Sequence, residues 1–256
     1  MTESNYPIVD VHTHLGISHS TGVRATRETL LGAMEDFGID AVMVMPQPTD
    51  PSALELHDEI AEMIIDHPGR VFGIALLDPR MPEAEFSFHV ARLLEDENFV
   101  ALKLHTFGHN VSPDDEVADK VFRAGRQHRR AVMIHTGLGG AHTLPGRIAS
   151  VCRAYPDVPI VLCHAGFAAF WAEALTLAEE FDNVMLEPSW SPGFAIGLMV
   201  ERLGADRVMF GSDHVSNLPI ELLKIANLEL TINERSAILG GTAARVFRLP
   251  NLVQRP

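Results

Sequence analysis

The chain has 256 residues, 46% of them hydrophobic and 21% charged, with 34 acidic against 20 basic side chains and a formal net charge of −14. That length can bury about 70–75% of the unfolded surface without staples. The acidic balance argues against the Lys/Arg neutralisation that nucleic acid or an anionic membrane surface demands. Met1–Pro7 holds no basic n-region and no apolar h-region, so no secretory leader is expected. No apolar run nears the roughly 20 residues of a membrane span. Cys152 and Cys163 make no disulfide framework, and a cytoplasmic protein is expected.

In chain order, short β-branched or apolar runs alternate with longer helical patterns. Strands are predicted at Ile8–Val11, Ala41–Met45, Val71–Leu76, Val100–Leu104, Ala131–Ile134, Pro159–Cys163, Val184–Glu187 and Arg207–Gly211. Helices are predicted at Ala53–Asp66, Asp114–Arg129, Ala141–Tyr155 and Ala168–Phe181, where apolar residues such as Val117, Val121 and Phe122 recur at helical spacing. Asn233–Leu249 reads as a closing helix broken at Gly240-Gly241. Eight such β/α units, at about 30 residues each, predict a (β/α)8 TIM barrel in which residues 1–256 form one domain. A doubly wound sheet would carry a glycine-rich loop after its first strand, whereas this first strand runs into His12-Thr13-His14.

In a parallel barrel, the chemistry sits at the C-terminal ends of the strands. The first strand delivers His12 and His14, which alternation puts on one side. The fourth delivers Lys103 and His105, the fifth His135, the sixth His164 and the eighth Asp213. A lone strand-end histidine is more often a hydrogen-bonded core residue than a ligand. Several in register are another matter, because crowded ionisable groups are costly unless paired or bound to metal. Imidazole and carboxylate suit zinc and also admit manganese or iron. The expected ligands are His12, His14, Asp213 and His135. His164 is either a ligand to a second ion or an acid/base beside the first. Lys103 has two readings: a neutral amine that adds carbon dioxide to become a bridging carbamate, or a contact to the substrate carboxylate. His105 and Trp190 are expected to touch substrate, Trp190 as an apolar wall.

This constellation resembles the amidohydrolase superfamily, and its wording resembles the branch that holds hydrolases and carboxylic-acid decarboxylases. The residues that carry the resemblance are Val9-Asp-Val-His-Thr-His14, Leu102-Lys-Leu-His105, Ile134-His-Thr-Gly137, Leu162-Cys-His-Ala-Gly166, Phe210-Gly-Ser-Asp-His214 and the closing Ile238–Phe247. Thr242 departs from the asparagine usual there, and the chain is shorter than the familiar decarboxylases. The resemblance implies one or two divalent ions, with Asp213 as base and His164 assisting. The leading expectation is a zinc- or manganese-dependent hydrolase that activates water against an amide, lactam or lactone of a small molecule. Nonoxidative decarboxylation of an aromatic or unsaturated acid is the alternative. A homodimer is the expected assembly.

The remaining candidates read as structure. Trp171 is core, Cys163 packs away from the cup beside His164, and His57, His67, His89 and His128 lie on helix surfaces. Arg80 and Arg147 form surface ion pairs. Specificity is assigned to loops 16–24, 47–51 and 107–113.

Overall fold

The computed structural model describes residues 6–18, 22–48 and 50–253. Its sheet contains β1 (Val9–Ile17), β2 (Arg24–Ala25), β3 (Ala41–Pro46), β4 (Val71–Leu76), β5 (Ala101–Leu104), β6 (Ala131–His135), β7 (Ile160–Cys163) and β8 (Val184–Glu187). They lie in the order β2-β1-β3-β4-β5-β6-β7-β8, with β2 antiparallel on the edge of β1 and every other pair parallel. Strands covered on both faces need apolar residues on both, and these have them. Val42 and Val44 pack in the layer beneath the helices, while Met43 and Met45 join Phe72, Met133, Val161 and Met209 on the inner face.

The expected eighth strand, Arg207–Gly211, forms no ladder. Its one bridge pairs Val208 with Leu186. The segment nevertheless bonds on both sides: Met209 N–H donates to Leu186 O at 2.9 Å, and Val11 N–H donates to Phe210 O at 3.1 Å.

Three helix expectations need correction. The stretch from Ala141 to Tyr155 is broken into 3-10 turns at Ala141–Thr143 and Pro145–Ile148, with a helix only over Ala149–Ala154. Pro145 lacks the N–H that a continuous helix requires. Gly240 is not a break, because a π-helical turn over Ala237–Gly241 joins Ile232–Ser236 to Thr242–Phe247. Glycine is needed there for close approach, since a Cβ would stand 1.9 Å from Pro7 O. His57, finally, is fully buried in the helix Ala53–Asp66, and His67, His89 and His128 are partly buried.

His57 Nε2 accepts the Leu76 N–H at 3.1 Å, which ties the helix to the end of β4. Burial pushes its imidazole down to about 3. A histidine neutral in the fold and protonated when unfolded makes stability fall with pH below its unfolded value. Urea unfolding should therefore show a loss of stability as pH drops from about 6.5 towards 3. His57→Gln should flatten that slope by up to one proton, and an unchanged slope would remove His57 from the account.

Candidate metal centre

β1 does more than its alternation suggests. Its register against β3 slips between Asp10 and Thr13, one extra residue on the β1 side, and such a bulge re-aims the side chains around it. His12 and His14 then face Asp213, whose Oδ1 lies 3.5 Å from His12 Nε2 and 3.4 Å from His14 Nε2. The Asp213 backbone N–H donates to His12 O at 2.7 Å. One residue earlier, Ser212 donates its N–H (2.9 Å) and its hydroxyl to the buried Asp10 carboxylate. These bonds clamp the segment 208–213 to β1.

Hydrogen-bond partners assign the tautomers. His14 Nδ1 lies 3.1 Å from Pro46 O, a pure acceptor, so Nδ1 carries the proton. His12 Nδ1 donates to Glu187 Oε2 at 2.7 Å. Both Nε2 atoms are left as lone pairs facing a carboxylate oxygen, that of His12 also within 3.2 Å of Lys103 Nζ, and the three ligand atoms lie within 4.8 Å of one another. Three acceptors converging on one point is an arrangement that suits a divalent cation, and backing of a ligand imidazole by a carboxylate or carbonyl is how metal histidines are held. Burial keeps His12 and His164 well below the ordinary imidazole range and His135 down to about 4, the neutral form that metal binding requires.

Glu187, at the end of β8, was not anticipated as part of the site. It is fully buried, and its oxygens also accept Ser189 N–H (2.7 Å), Ser189 hydroxyl (3.1 Å) and His164 N–H (3.3 Å). The signal available was an acid at a strand end in register with Cys163 of the neighbouring β7. Although His12, His164 and Glu187 also gather ligand atoms within 4.8 Å, His12 Nδ1 is engaged there as a donor, so this group reads as support for the first. Gly211 leaves room for it: a Cβ would lie 2.8 Å from Glu187 Cγ and Cδ. Gly211→Ala should displace Glu187, cost about 1–3 kcal/mol and weaken metal binding, as read by urea unfolding and metal titration. Unchanged values in both would show that the acid has room to move.

The other expected site residues fall in different places. His164 Nδ1 donates to Ser189 Oγ at 2.8 Å, and its ring centroid lies 4.9 Å from those of His12, tilted, and His135, edge-on. His135 Nε2 donates to Leu138 O at 2.8 Å, which leaves a buried Nδ1 with no hydrogen bond. His105 stacks on His135 with ring centroids 4.6 Å apart, and its Nδ1 accepts Gly108 N–H. Lys103 is buried beneath the cup, its Nζ 3.2 Å from His12 Nε2 and 2.8 Å from Cys163 Sγ. It is not among the residues lining the cavity above.

Cys163 therefore faces inward, contrary to expectation. Alternation across Cys163 and His164 fails because the chain leaves β7 at His164, which has φ of +66°, followed by Ala165 and Gly166 in the same left-handed region. Trp190 and Asp213 are also left-handed, at +63° and +67°. Such conformations are uncommon outside glycine, and here they turn three side chains into one cup. Trp190 Nε1 donates to Asp213 Oδ2 at 2.8 Å.

Above the cup lies a cavity of about 760 Å³ walled by Phe107, Leu138, Phe167 and Trp190, with His105, His164 and Asp213 at its base. No lysine or arginine is among its described lining residues. Ser18, Val23, Gln47 and Pro48 of the expected specificity loops line its mouth; residues 19–21 and 49 lie outside the described residues. Arg80 and Arg147 pair with Asp78 and Asp114. No described helix is long and apolar enough to cross a membrane.

An amidohydrolase family model matches residues 9–249. Among curated proteins none matches significantly in sequence. Among solved structures, the 5-carboxyvanillate decarboxylase of Novosphingobium aromaticivorans, with manganese and a nitrobenzoic acid bound, superposes with a TM-score of 0.76 at 16% identity, over 96% of this chain and 98% of that one. The 2,6-dihydroxybenzoate decarboxylase from Rhizobium gives 0.73 at 17% identity over 95% and 99%. A dihydroxybenzoic acid decarboxylase from Polaromonas, with manganese and 2-nitroresorcinol, gives 0.72 at 16% over 95% and 97%. At such identities the likeness is one of fold. It still corrects the leading expectation: these neighbours are decarboxylases rather than hydrolases, and two hold manganese rather than zinc. The chain's length is no obstacle either, since the superpositions cover nearly all of each neighbour.

Proposed function

The chain belongs to the amidohydrolase family, and from that premise we propose that it is a metal-dependent nonoxidative decarboxylase of a small aromatic carboxylic acid. The observation that carries this reading is an aromatic-walled cavity lined by His14 and Asp213, whose Nε2 and Oδ1 converge with the Nε2 of the buried His12 beneath it. We assign these three to one divalent cation, with the unpartnered Nδ1 of His135 as a fourth donor. Manganese, present in two of the neighbours, suits this mixture of nitrogen and oxygen donors. We read Arg207–Gly211 as the stave that closes the barrel between β8 and β1, and the chain as one domain.

When bound, the cation supplies Lewis-acid stabilisation of negative charge on a substrate oxygen. The chain's own residues do the rest. Phe107, Phe167 and Trp190 hold the ring and exclude water. His105, whose Nδ1 is occupied by Gly108 N–H, offers its Nε2–H to a substrate oxygen. His164, whose Nδ1 is committed to Ser189, offers the Nε2 lone pair to a ring hydroxyl. Asp213, held by Trp190, takes up a proton and passes it to the ring carbon. The ring–carboxylate bond breaks, its electron pair stays on that carbon and is captured by the proton, and carbon dioxide leaves.

The test is to incubate the manganese-loaded protein with hydroxybenzoates in heavy water. One carbon dioxide per turnover and one deuterium at the vacated ring position are expected. No carbon dioxide from any such acid at full metal loading, with amides or lactones turned over instead, would overturn the assignment.

A further inference from the structure

The opposite end of the strands carries a second concavity. A groove of about 460 Å³ opens where β7 and β8 begin, lined by Arg126, Arg129, Arg245 and Arg248, with Asp157 as the carboxylate on its wall. In a chain of net charge −14, a concentration of guanidinium groups around one hollow is out of keeping with the rest of the surface. Arg126 is matched by Asp157 at 2.6 Å, and Arg245 donates to the Asp206 carbonyl. Among the described residues no carboxylate pairs with Arg129 or Arg248.

Helix ends explain part of this. Arg129 and Arg248 each follow the last residue of a helix, Asp119–His128 and Thr242–Phe247, where a cation gains about 0.3–1 kcal/mol from the helix dipole. That gain favours one arginine at each terminus. It does not favour two termini turning their arginines across one hollow, where like charges repel. The groove has the volume of a small-molecule site, and Met185 and Val246 give it an apolar floor. Guanidinium forks match the paired oxygens of phosphate and carboxylate.

We propose that this groove binds a small molecule bearing two anionic groups, held between Arg129 and Arg248 across the space from Arg126 and Arg245. The shared chemistry is that of a bisphosphate or a dicarboxylate. This site is independent of the decarboxylase reading, because it lies at the far end of the strands from Asp213.

Calorimetric titration of the metal-loaded protein with a hexose bisphosphate and, separately, with glutarate tests it. One site per chain is expected for at least one probe, with affinity falling about tenfold for each of Arg129→Gln and Arg248→Gln and unchanged in Arg153→Gln. Arg129→Lys should retain part of the affinity. Binding of the bisphosphate alone identifies a phosphate site, and binding of both identifies a general dianion site. Failure of both probes at millimolar concentration overturns the proposal. So does equal affinity in the glutamine variants, which would place the probe in the metal cup.

Discussion

Asp213→Asn is expected to lower the rate of carbon dioxide release by about 10²–10⁴-fold while leaving the thermal midpoint close to that of the wild type. The fold should tolerate the change because the residue sits at φ of +67°, and asparagine is one of the few residues that enters this region readily. The side-chain oxygen can still accept the Trp190 Nε1–H, now 2.8 Å from Oδ2. What disappears is the negative charge between His12 and His14 and the group proposed to carry a proton to the ring. Saturating metal separates the two losses: it should refill the cup without restoring turnover. Wild-type turnover with metal bound would show that another group moves the proton.

Much of this site was legible because strand ends in a parallel sheet are periodic and local. His12 and His14 share a side by alternation, and His135 and Asp213 stand where two runs of apolar residues stop. Glu187 shows where such reading ends. It is visible as a strand-end acid, but its importance comes from a contact with His12, 175 residues away, and no local pattern encodes that. Cys163 was misplaced for a geometric reason, since alternation holds only while the backbone stays extended, and it turns left-handed at His164. His57 was within reach: with Ile60 and Met63 it marks the buried face of its helix, a spacing that outweighs its polarity.

The reaction was the least legible part. A cup of imidazoles and a carboxylate serves hydrolysis and decarboxylation alike, so the ligand set does not choose between them. The choice rests on the likeness in fold to decarboxylases, and the aromatic substrate on walls contributed by Phe107, Leu138, Phe167 and Trp190, which come from separate irregular segments. Phe167 and Trp190 reach the cavity through backbone at positive φ, a turn that no hydrophobic period announces.

Glu187→Gln is expected to weaken metal binding by about 10–100-fold, with a smaller effect on the metal-free fold. All four described partners of this side chain are donors: Ser189 N–H on Oε1, and His12 Nδ1–H, Ser189 hydroxyl and His164 N–H on Oε2. A glutamine offers one acceptor and one donor. If its NH2 replaces Oε1 it meets the Ser189 N–H, and if it replaces Oε2 it meets three donors at once. The first orientation is the less costly, at about 1–3 kcal/mol for the donor left facing it. His12 then keeps an oxygen partner but loses the negative charge behind its ring, so its Nε2 becomes a poorer ligand towards the cation shared with His14 and Asp213. Titration of the metal-stripped variant against a competing chelator, set beside urea unfolding of the same metal-free protein, separates ligand basicity from folding. An affinity equal to wild type at reduced stability would mean that Glu187 only braces the strand ends.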